Sequence, residues 1–325
     1  MKALASTILC CFLVVSLTSQ VFHGLIDGQF PIKMELSIGD TAVNGSYQYK
    51  RIGKDLRLKG KKHPILEKYS WQFKLKEYDT SNRITGIFQG ESNRINPLFR
   101  ENLSGRWINP KSKKELDFVV VEQHTIEMGS PFIYPEIIPL ETSIPDREKT
   151  FLFLPKFHKI TKKAAQKIES TLSIEKITGE PLSAIQETYE ECACGYIGID
   201  YSVNYLQDSI LSMTVQSEYL GPYISLLNQY FTFNTITGET LAYTDFIPTK
   251  KISKVLKLLN QELQVRAQSI EEPSYADGHE FTKEQLNTFS LTPLGIIVYY
   301  DFGFPHALRA LSPDTKFLIP WEEIQ

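Results

Sequence analysis

The sequence predicts an α+β protein: an N-terminal all-β antiparallel meander or half-barrel, followed by an α+β domain with an antiparallel sheet and one long amphipathic helix. Two observations predict this. From residue 31 to residue 123, short strand patterns alternate with turn residues and no helical period interrupts them. Beyond residue 150, strand patterns are mixed with helical ones, the longest at residues 252–267. With 325 residues, 42% of them hydrophobic, the chain is long enough for two or three domains.

The first 19 residues have the pattern of a secretory signal peptide. Lys2 precedes an apolar run at residues 8–17, and the small polar residues Thr18 and Ser19 follow it. The run is shorter than a membrane-spanning helix requires. A retained membrane anchor and a buried first strand are the alternatives. We predict that residues 1–19 are removed, that the protein is periplasmic or extracellular, and that no integral membrane segment remains.

Residues 25–127 are predicted to form the β-rich module. The clearest strand is at residues 71–78, where apolar and polar side chains alternate strictly. Glycine, asparagine and proline separate the segments, as they do in turns. The predicted strands are residues 32–38, 43–49, 56–59, 71–78, 84–90, 103–108 and 116–121.

Glycines and aromatic residues recur in these strands, together with two leucines and a proline: Gly45, Tyr47, Tyr49, Leu56, Leu58, Gly60, Gly86, Phe88, Gly90, Gly105, Trp107, Pro110 and Phe118. This succession resembles a β-rich module of exported bacterial proteins that has no assigned function. Glycines allow bulges or close backbone approach in a curved sheet, and large aromatic rings fill its inside. The resemblance therefore implies a fold and no chemistry.

Residues 128–147 are predicted to be a linker, because prolines interrupt regular structure there. Residues 148–325 then form the α+β domain. Thr161 is placed to cap a helix at residues 161–172, and Thr249 to cap the helix at residues 252–267. The predicted strands of this domain are residues 151–155, 196–205, 210–219, 229–234, 289–292 and 296–300.

Four segments of this domain occur in a characteristic order: residues 211–212, 230–241, 294–300 and 317–324. In this order they resemble the exported region of lysozyme-sensing anti-sigma factors and the accessory domain of some peptidoglycan deacetylases. The resemblance covers residues 150–325. It implies an α+β fold and the recognition of a host-type lysozyme rather than catalysis.

The charge balance limits the kinds of partner. A formal net charge of −3 does not favour nucleic acid or an anionic membrane as the main partner. One basic cluster stands out, and it is either the solvated face of a strand hairpin or a contact for an acidic glycan or cell-wall polymer. Its members are Lys54, Arg57, Lys59, Lys61 and Lys62.

Cys192 and Cys194 are the cysteines that remain after removal of the signal peptide, and they are the candidate disulfide. Gly195 supplies the backbone freedom that a bond across one residue needs. Free thiols or intermolecular links, and a metal or redox pair, are the alternatives. Two thiolates fall short of the four ligands of a structural zinc site, so no metal site is predicted.

No catalytic residue or cofactor is predicted. His279, between Gly278 and Glu280, and His306 have no second histidine at ligand spacing, and both are interpreted as loop residues. Nucleophile-elbow, zinc-protease, phosphate-loop and dinucleotide motifs do not occur in the sequence.

Two classes of function agree with these observations. The first is a non-catalytic binding protein of the bacterial cell envelope that recognises a protein (lysozyme-like) or glycan ligand, since tyrosines suit interfaces. The alternative is a cell-envelope hydrolase with an acid/base pair such as Asp200 with Glu218. Carboxylates clustered in one cleft would favour the enzyme, and an aromatic concavity without them would favour binding.

Overall fold

The computed structural model describes residues 19–49, 54–65, 70–93, 101–124, 127, 130–145, 150–270 and 278–324. The chain divides into two compact units, residues 1–122 and 123–325. None of the helices in the described ranges combines the length and the apolar character that crossing a bilayer requires.

The first unit is a closed antiparallel barrel in which consecutive strands are neighbours. The barrel closes because β8 returns to β1: the Asp27 N–H donates to the Asp117 carbonyl (2.6 Å), and Gln20 Nε2 donates to Glu122 Oε1 (2.8 Å). The predicted meander is confirmed, and it curls fully into a barrel. Its strands are β1 (Ser19–Ile26), β2 (Phe30–Ile38), β3 (Ala42–Tyr49), β4 (Asp55–Pro64), β5 (Trp71–Tyr78), β6 (Ile84–Asn93), β7 (Asn102–Ile108) and β8 (Glu115–Gln123).

Strand β1 was not predicted. It begins at Ser19, so the barrel starts before residue 25, and residues 1–18 lie outside the described residues. Its apolar residues do not alternate, which hid the strand. Gly24 lies so close to β8 that a Cβ there would stand 1.9 Å from the Val119 carbonyl oxygen.

Aromatic rings fill the inside of the barrel. Phe88 is fully buried and makes edge-to-face contacts with Tyr47 (centroids 5.1 Å apart) and Phe118 (5.0 Å). These rings and the buried aliphatic side chains around them form one core, as the sequence predicts for the inward face of the curved sheet.

Two glutamates are buried among these apolar side chains. Glu77 accepts hydrogen bonds from the Tyr47 hydroxyl (2.7 Å), Trp107 Nε1 (2.8 Å) and the Thr85 hydroxyl (2.5 Å). Glu101 accepts from Trp71 Nε1 (2.6 Å) and the Ser92 hydroxyl (2.6 Å). Each carboxylate is thus satisfied by a tryptophan and at least one hydroxyl, as a buried acid requires.

The second unit contains a five-stranded sheet in the order β13-β12-β11-β10-β9, antiparallel except where β10 meets β11. Three helices pack against one face and form a core with it. Two of them, α2 and α3, were not predicted. These elements are β9 (Phe132–Leu140), β10 (Thr150–His158), α1 (Lys162–Thr171), α2 (Ile174–Thr178), α3 (Leu182–Cys192), β11 (Gly195–Gln207), β12 (Ile210–Leu220) and β13 (Ile224–Asn234).

The predicted linker at residues 128–147 is wrong, because it contains β9. This strand pairs with β10 along its whole length, from Phe132 opposite His158 to Leu140 opposite Thr150. Proline is tolerated in an edge strand, where an N–H on the solvent side is not needed. The boundary between the units lies at residue 122, ahead of the prolines.

The rest of the described part of the second unit contains a long helix, a short helix near residue 324 and a small antiparallel sheet. Helix α4 packs Val255, Leu259 and Leu263 against that sheet. The helix has the predicted bounds, but Thr249 does not cap it, because a 3-10 turn at Thr249–Lys251 runs directly into its first residue. The elements are α4 (Ile252–Ala267), β14 (Phe289–Thr292), β15 (Gly295–Tyr299), β16 (Lys316–Pro320) and α5 (Trp321–Ile324).

Candidate functional site

A groove runs along the edge strand β13 in the second unit. It consists of two adjoining cavities of about 470 Å³ and about 220 Å³, which share Tyr230 and Asn287. The larger cavity is lined by Thr171, Lys176, Asn228, Gln229, Tyr230, Phe231, Asn287 and Thr288. The smaller cavity adds Thr232, Thr240, Leu241, Ala242 and Phe289.

The two walls of the groove are held by side chains on opposite faces of β13. On one face, Gln229 Nε2 donates to the Ile177 carbonyl of α2 (2.9 Å). On the other face, the Tyr230 ring stacks on Tyr299 of β15, with centroids 3.7 Å apart and an interplanar angle of 15°. The Tyr299 hydroxyl is in turn 2.9 Å from the Ser290 hydroxyl. The backbone edge of β13 therefore forms the floor between a helical wall and a sheet wall.

Part of this edge is already covered by the chain itself. The Asn234 N–H donates to the Glu239 carbonyl (2.8 Å), the Leu241 N–H donates to the Thr232 carbonyl (2.7 Å), and Phe233 is bridged to Thr240. Residues 239–241 thus lie beside β13 as a short added strand. The chain then leaves the edge at Ala242, which precedes a 3-10 turn at Tyr243–Asp245.

The remainder of the edge is open. In an antiparallel strand, the N–H and C=O of every second residue point to the same side. The outward bonds at Thr232 and Asn234 therefore place the backbone groups of Ile224, Leu226, Asn228 and Tyr230 on the outer side, and none of the described residues pairs with them. Backbone donors and acceptors at Asn228 and Tyr230 thus face the groove, and those at Ile224 and Leu226 continue the open edge beyond it.

The groove is polar but nearly uncharged. Amide and hydroxyl side chains line it together with the Tyr230 and Phe231 rings, Lys176 is the one charged group among the lining residues, and no carboxylate lines either cavity. Burial, reinforced by the neighbouring Tyr299, raises the pKa of Tyr230, so its hydroxyl stays neutral at physiological pH.

An exposed apolar segment continues from the groove toward the start of β13. Tyr223, Ile224, Leu226 and Leu227 are all exposed, Tyr223 to 69%. No charged residue occurs from residue 222 to residue 238. This exposed segment was not predicted from the sequence, because the predicted strand began at residue 229, where the apolar alternation becomes clear.

The cysteine pair lies outside the groove. Cys192 and Cys194 are at disulfide distance, with Cα atoms 5.1 Å apart, between the end of α3 and the start of β11. Gly195 has a φ of +78°, in agreement with its predicted role. In the part of the chain that the structure describes, no group of three or more potential metal ligands occurs.

The two candidate carboxylates lie on neighbouring strands. Asp200 is opposite Gln216, and Glu218 is opposite Gly198, so the acids are diagonal neighbours on one face with Cα atoms about 7–8 Å apart. Burial raises the pKa of Glu218. Neither acid lines the two cavities.

His279 is half-buried rather than fully exposed. Its Nδ1 lies 3.3 Å from the Tyr300 hydroxyl, and its ring contacts Phe302 edge to face at 5.0 Å. His306 begins a 3-10 turn at His306–Leu311, and its side chain lies outside the described residues.

No protein-family model and no curated protein matches the chain. Several solved structures resemble it, among them two of bacterial proteins of the DUF3298 family. The one from Bacteroides fragilis is 14% identical, with a TM-score of 0.40 over 60% of this chain and 92% of that chain. The one from Pseudomonas aeruginosa is 10% identical, with a TM-score of 0.43 over 59% of this chain and 91% of that chain. At TM-scores below 0.5, the likeness identifies neither a family nor a function for this chain.

Proposed function

We propose that this chain is an exported, non-catalytic binding protein of the bacterial cell envelope that takes up an extended segment of a protein ligand along β13. The observation that carries the proposal is the open backbone edge at residues 224–230, which lines the groove at residues 228–230 and continues an edge that residues 239–241 already extend. Strand addition to an open edge gives affinity through backbone hydrogen bonds and specificity through alternate side chains.

The opposite edge of the same sheet supports this interpretation. There β9 carries Pro135 and Pro139, which have no N–H to offer, and Glu136 is paired with Lys156 at 3.1 Å. Prolines and charges are the usual protection of an exposed edge against pairing with another chain. Strand β13 has neither from residue 224 to residue 234, so only one edge of the sheet is left available.

The test starts from a protein beginning at residue 20 and from three probes: a displayed library of random peptides, purified lysozyme and isolated sacculi. Lysozyme is included because residues 150–325 resemble lysozyme-sensing anti-sigma factors. The affinity of each probe that binds is then measured by calorimetry for the unmodified protein and two variants at one position. Asn228→Pro removes the outward N–H without touching the ladder to β12, whereas Asn228→Ala keeps the N–H and removes the side-chain amide.

Strand addition predicts that Asn228→Pro weakens binding of a peptide or of lysozyme by about tenfold or more, while Asn228→Ala changes it by less than about threefold. Circular dichroism shows whether each variant is folded. Equal losses in both variants would mean that side chains recognise the ligand, as for a glycan, and would refute strand addition. Binding that survives Asn228→Pro unchanged would refute it as well.

The second candidate function is a cell-envelope hydrolase, and the observation in its favour is the raised pKa of Glu218 beside Asp200. It predicts release of soluble fragments from purified sacculi. Both Glu218→Gln and Asp200→Asn would have to abolish that release. Unchanged sacculi after prolonged incubation would eliminate this candidate.

A further inference from the structure

Four lysines form two directly opposed pairs on the outer surface of the barrel. Lys59 of β4 is opposite Lys76 of β5, and Lys61 is opposite Lys74. All four are exposed. Opposed residues on paired strands are about 5 Å apart, and residues i and i+2 of one strand are about 7 Å apart. The four Cα atoms therefore lie at the corners of a rectangle of about 5 Å by about 7 Å. We call these four residues the lysine quartet.

The quartet has no charge partner among the residues that the structure describes. None of its members forms an ion pair with a carboxylate in the described ranges. Of the nearby acids, Glu35 pairs with Lys33 and Glu77 points into the barrel. Glu91 keeps its charge but accepts a hydrogen bond from Gln72. Like charges directly opposite each other destabilise a sheet, so the arrangement costs stability without an internal compensation.

The members of the basic cluster found in the sequence, residues 54–62, have different surroundings in the fold. Arg57 donates to Asn82 and lies over the Tyr78 ring at 5.3 Å, and Lys62 lies over the Trp71 ring at 5.3 Å. Lys59 and Lys61 follow Arg57 on the exposed face of β4, Lys74 and Lys76 join them from the next strand, and the exposed Lys54 precedes β4. The sequence pattern could not reveal this, because the β4–β5 register decides which lysines meet.

The surroundings of the quartet distinguish between classes of polyanion. Lys59 is opposite Asn44 and Lys74 is opposite Gln89, whose exposed amides suit sugar hydroxyls. The other two neighbours across the strands are Ala42 opposite Lys61 and the half-buried Ile87 opposite Lys76. The opposed positions carry no aromatic ring, on which the bases of single-stranded nucleic acid would stack. They also carry no exposed large apolar side chain that would insert into a membrane surface.

We propose that the lysine quartet binds a linear acidic polysaccharide on the outside of the barrel. The charge complementarity is local, because a chain with a net charge of −3 does not attract polyanions as a whole. This surface lies in the first unit and involves none of the residues of the β13 groove, so the two binding proposals stand or fall separately.

The test compares the unmodified protein with a variant in which Lys59, Lys61, Lys74 and Lys76 are all changed to Gln. The matched control carries four Lys→Gln changes in the second unit at the exposed positions Lys162, Lys163, Lys250 and Lys257, so its net charge changes equally. The probes are polygalacturonate, neutral dextran, a DNA duplex, and vesicles with anionic lipid. Binding is measured at about 50 mM and about 200 mM salt.

We expect the unmodified protein and the control to bind polygalacturonate, the quartet variant to bind at least about tenfold more weakly, and the affinity to fall with salt. Dextran should not bind. Equal weakening in the control would show that net charge alone matters and would overturn the proposal. Absence of polygalacturonate binding at the lower salt concentration would overturn it too, as would quartet-dependent binding of DNA or vesicles that is as tight as that of the polysaccharide.

Discussion

Replacing Glu77 by Leu should destabilise the barrel far more than replacing it by Gln. Leucine would leave the Tyr47 hydroxyl and Trp107 Nε1 without their acceptor, and an unsatisfied buried donor costs about 1–3 kcal/mol, so about 2–6 kcal/mol in total. Glutamine can keep its oxygen toward both donors and direct its amide to the Thr85 hydroxyl. It loses only the charge assistance, about 1–2 kcal/mol, and a buried charge no longer has to be desolvated.

Urea unfolding followed by tryptophan fluorescence measures this difference, since Trp71 and Trp107 report on the barrel. The double-mutant cycle with Tyr47→Phe supplies the control, because the two residues should couple by about 1.5–3 kcal/mol. Tyr47→Phe should therefore cost stability when Glu77 is present and little or none in the Glu77→Leu background. A Glu77→Leu protein within about 1 kcal/mol of the unmodified one would refute the reasoning, as would equal effects of Tyr47→Phe in both backgrounds.

Four further outcomes are expected. Because burial raises the pKa of Tyr47 above 10.0, stability should decline as pH rises above 10, and Tyr47→Phe should flatten that decline in alkaline urea titrations. Because burial raises the pKa of Glu218, its contribution to folding stability is full below pH 4.5 and is lost as pH rises and the buried carboxyl ionises. Glu218→Gln, which stays neutral, should thus raise the melting temperature at about pH 7 and not at about pH 3. Gly24→Ala should cost about 3 kcal/mol or more in urea unfolding, since its Cβ would stand 1.9 Å from a backbone oxygen. Changing Cys192 and Cys194 to Ser should lower stability by no more than about 2 kcal/mol in the same assay, because the closed loop is so short.

The strands and helices that the sequence predicted well share a physical cause. Strand β5 has the predicted bounds because its inward residues, from Trp71 to Glu77, alternate with exposed ones. Helix α4 was predicted because one apolar stripe faces the core. In both elements a core on one side imposes a period on the sequence. The buried Glu77 and Glu101 carry no such mark, because only the folded barrel brings a tryptophan and a hydroxyl to each carboxylate.

Two errors in the second unit concern the two edges of one sheet, and they have a common explanation. Strand β9 was predicted as a linker because prolines cannot donate to a ladder, yet at an edge this loss is harmless and prevents further pairing. The first half of β13 was missed because Ile224, Leu226 and Leu227 are exposed, so no core imposed an alternation. The residues of an edge strand thus depend on whether another strand is allowed to pair with it. A protected β9 and an unprotected β13 are the pattern expected when one edge is closed to partners and the other is kept for one.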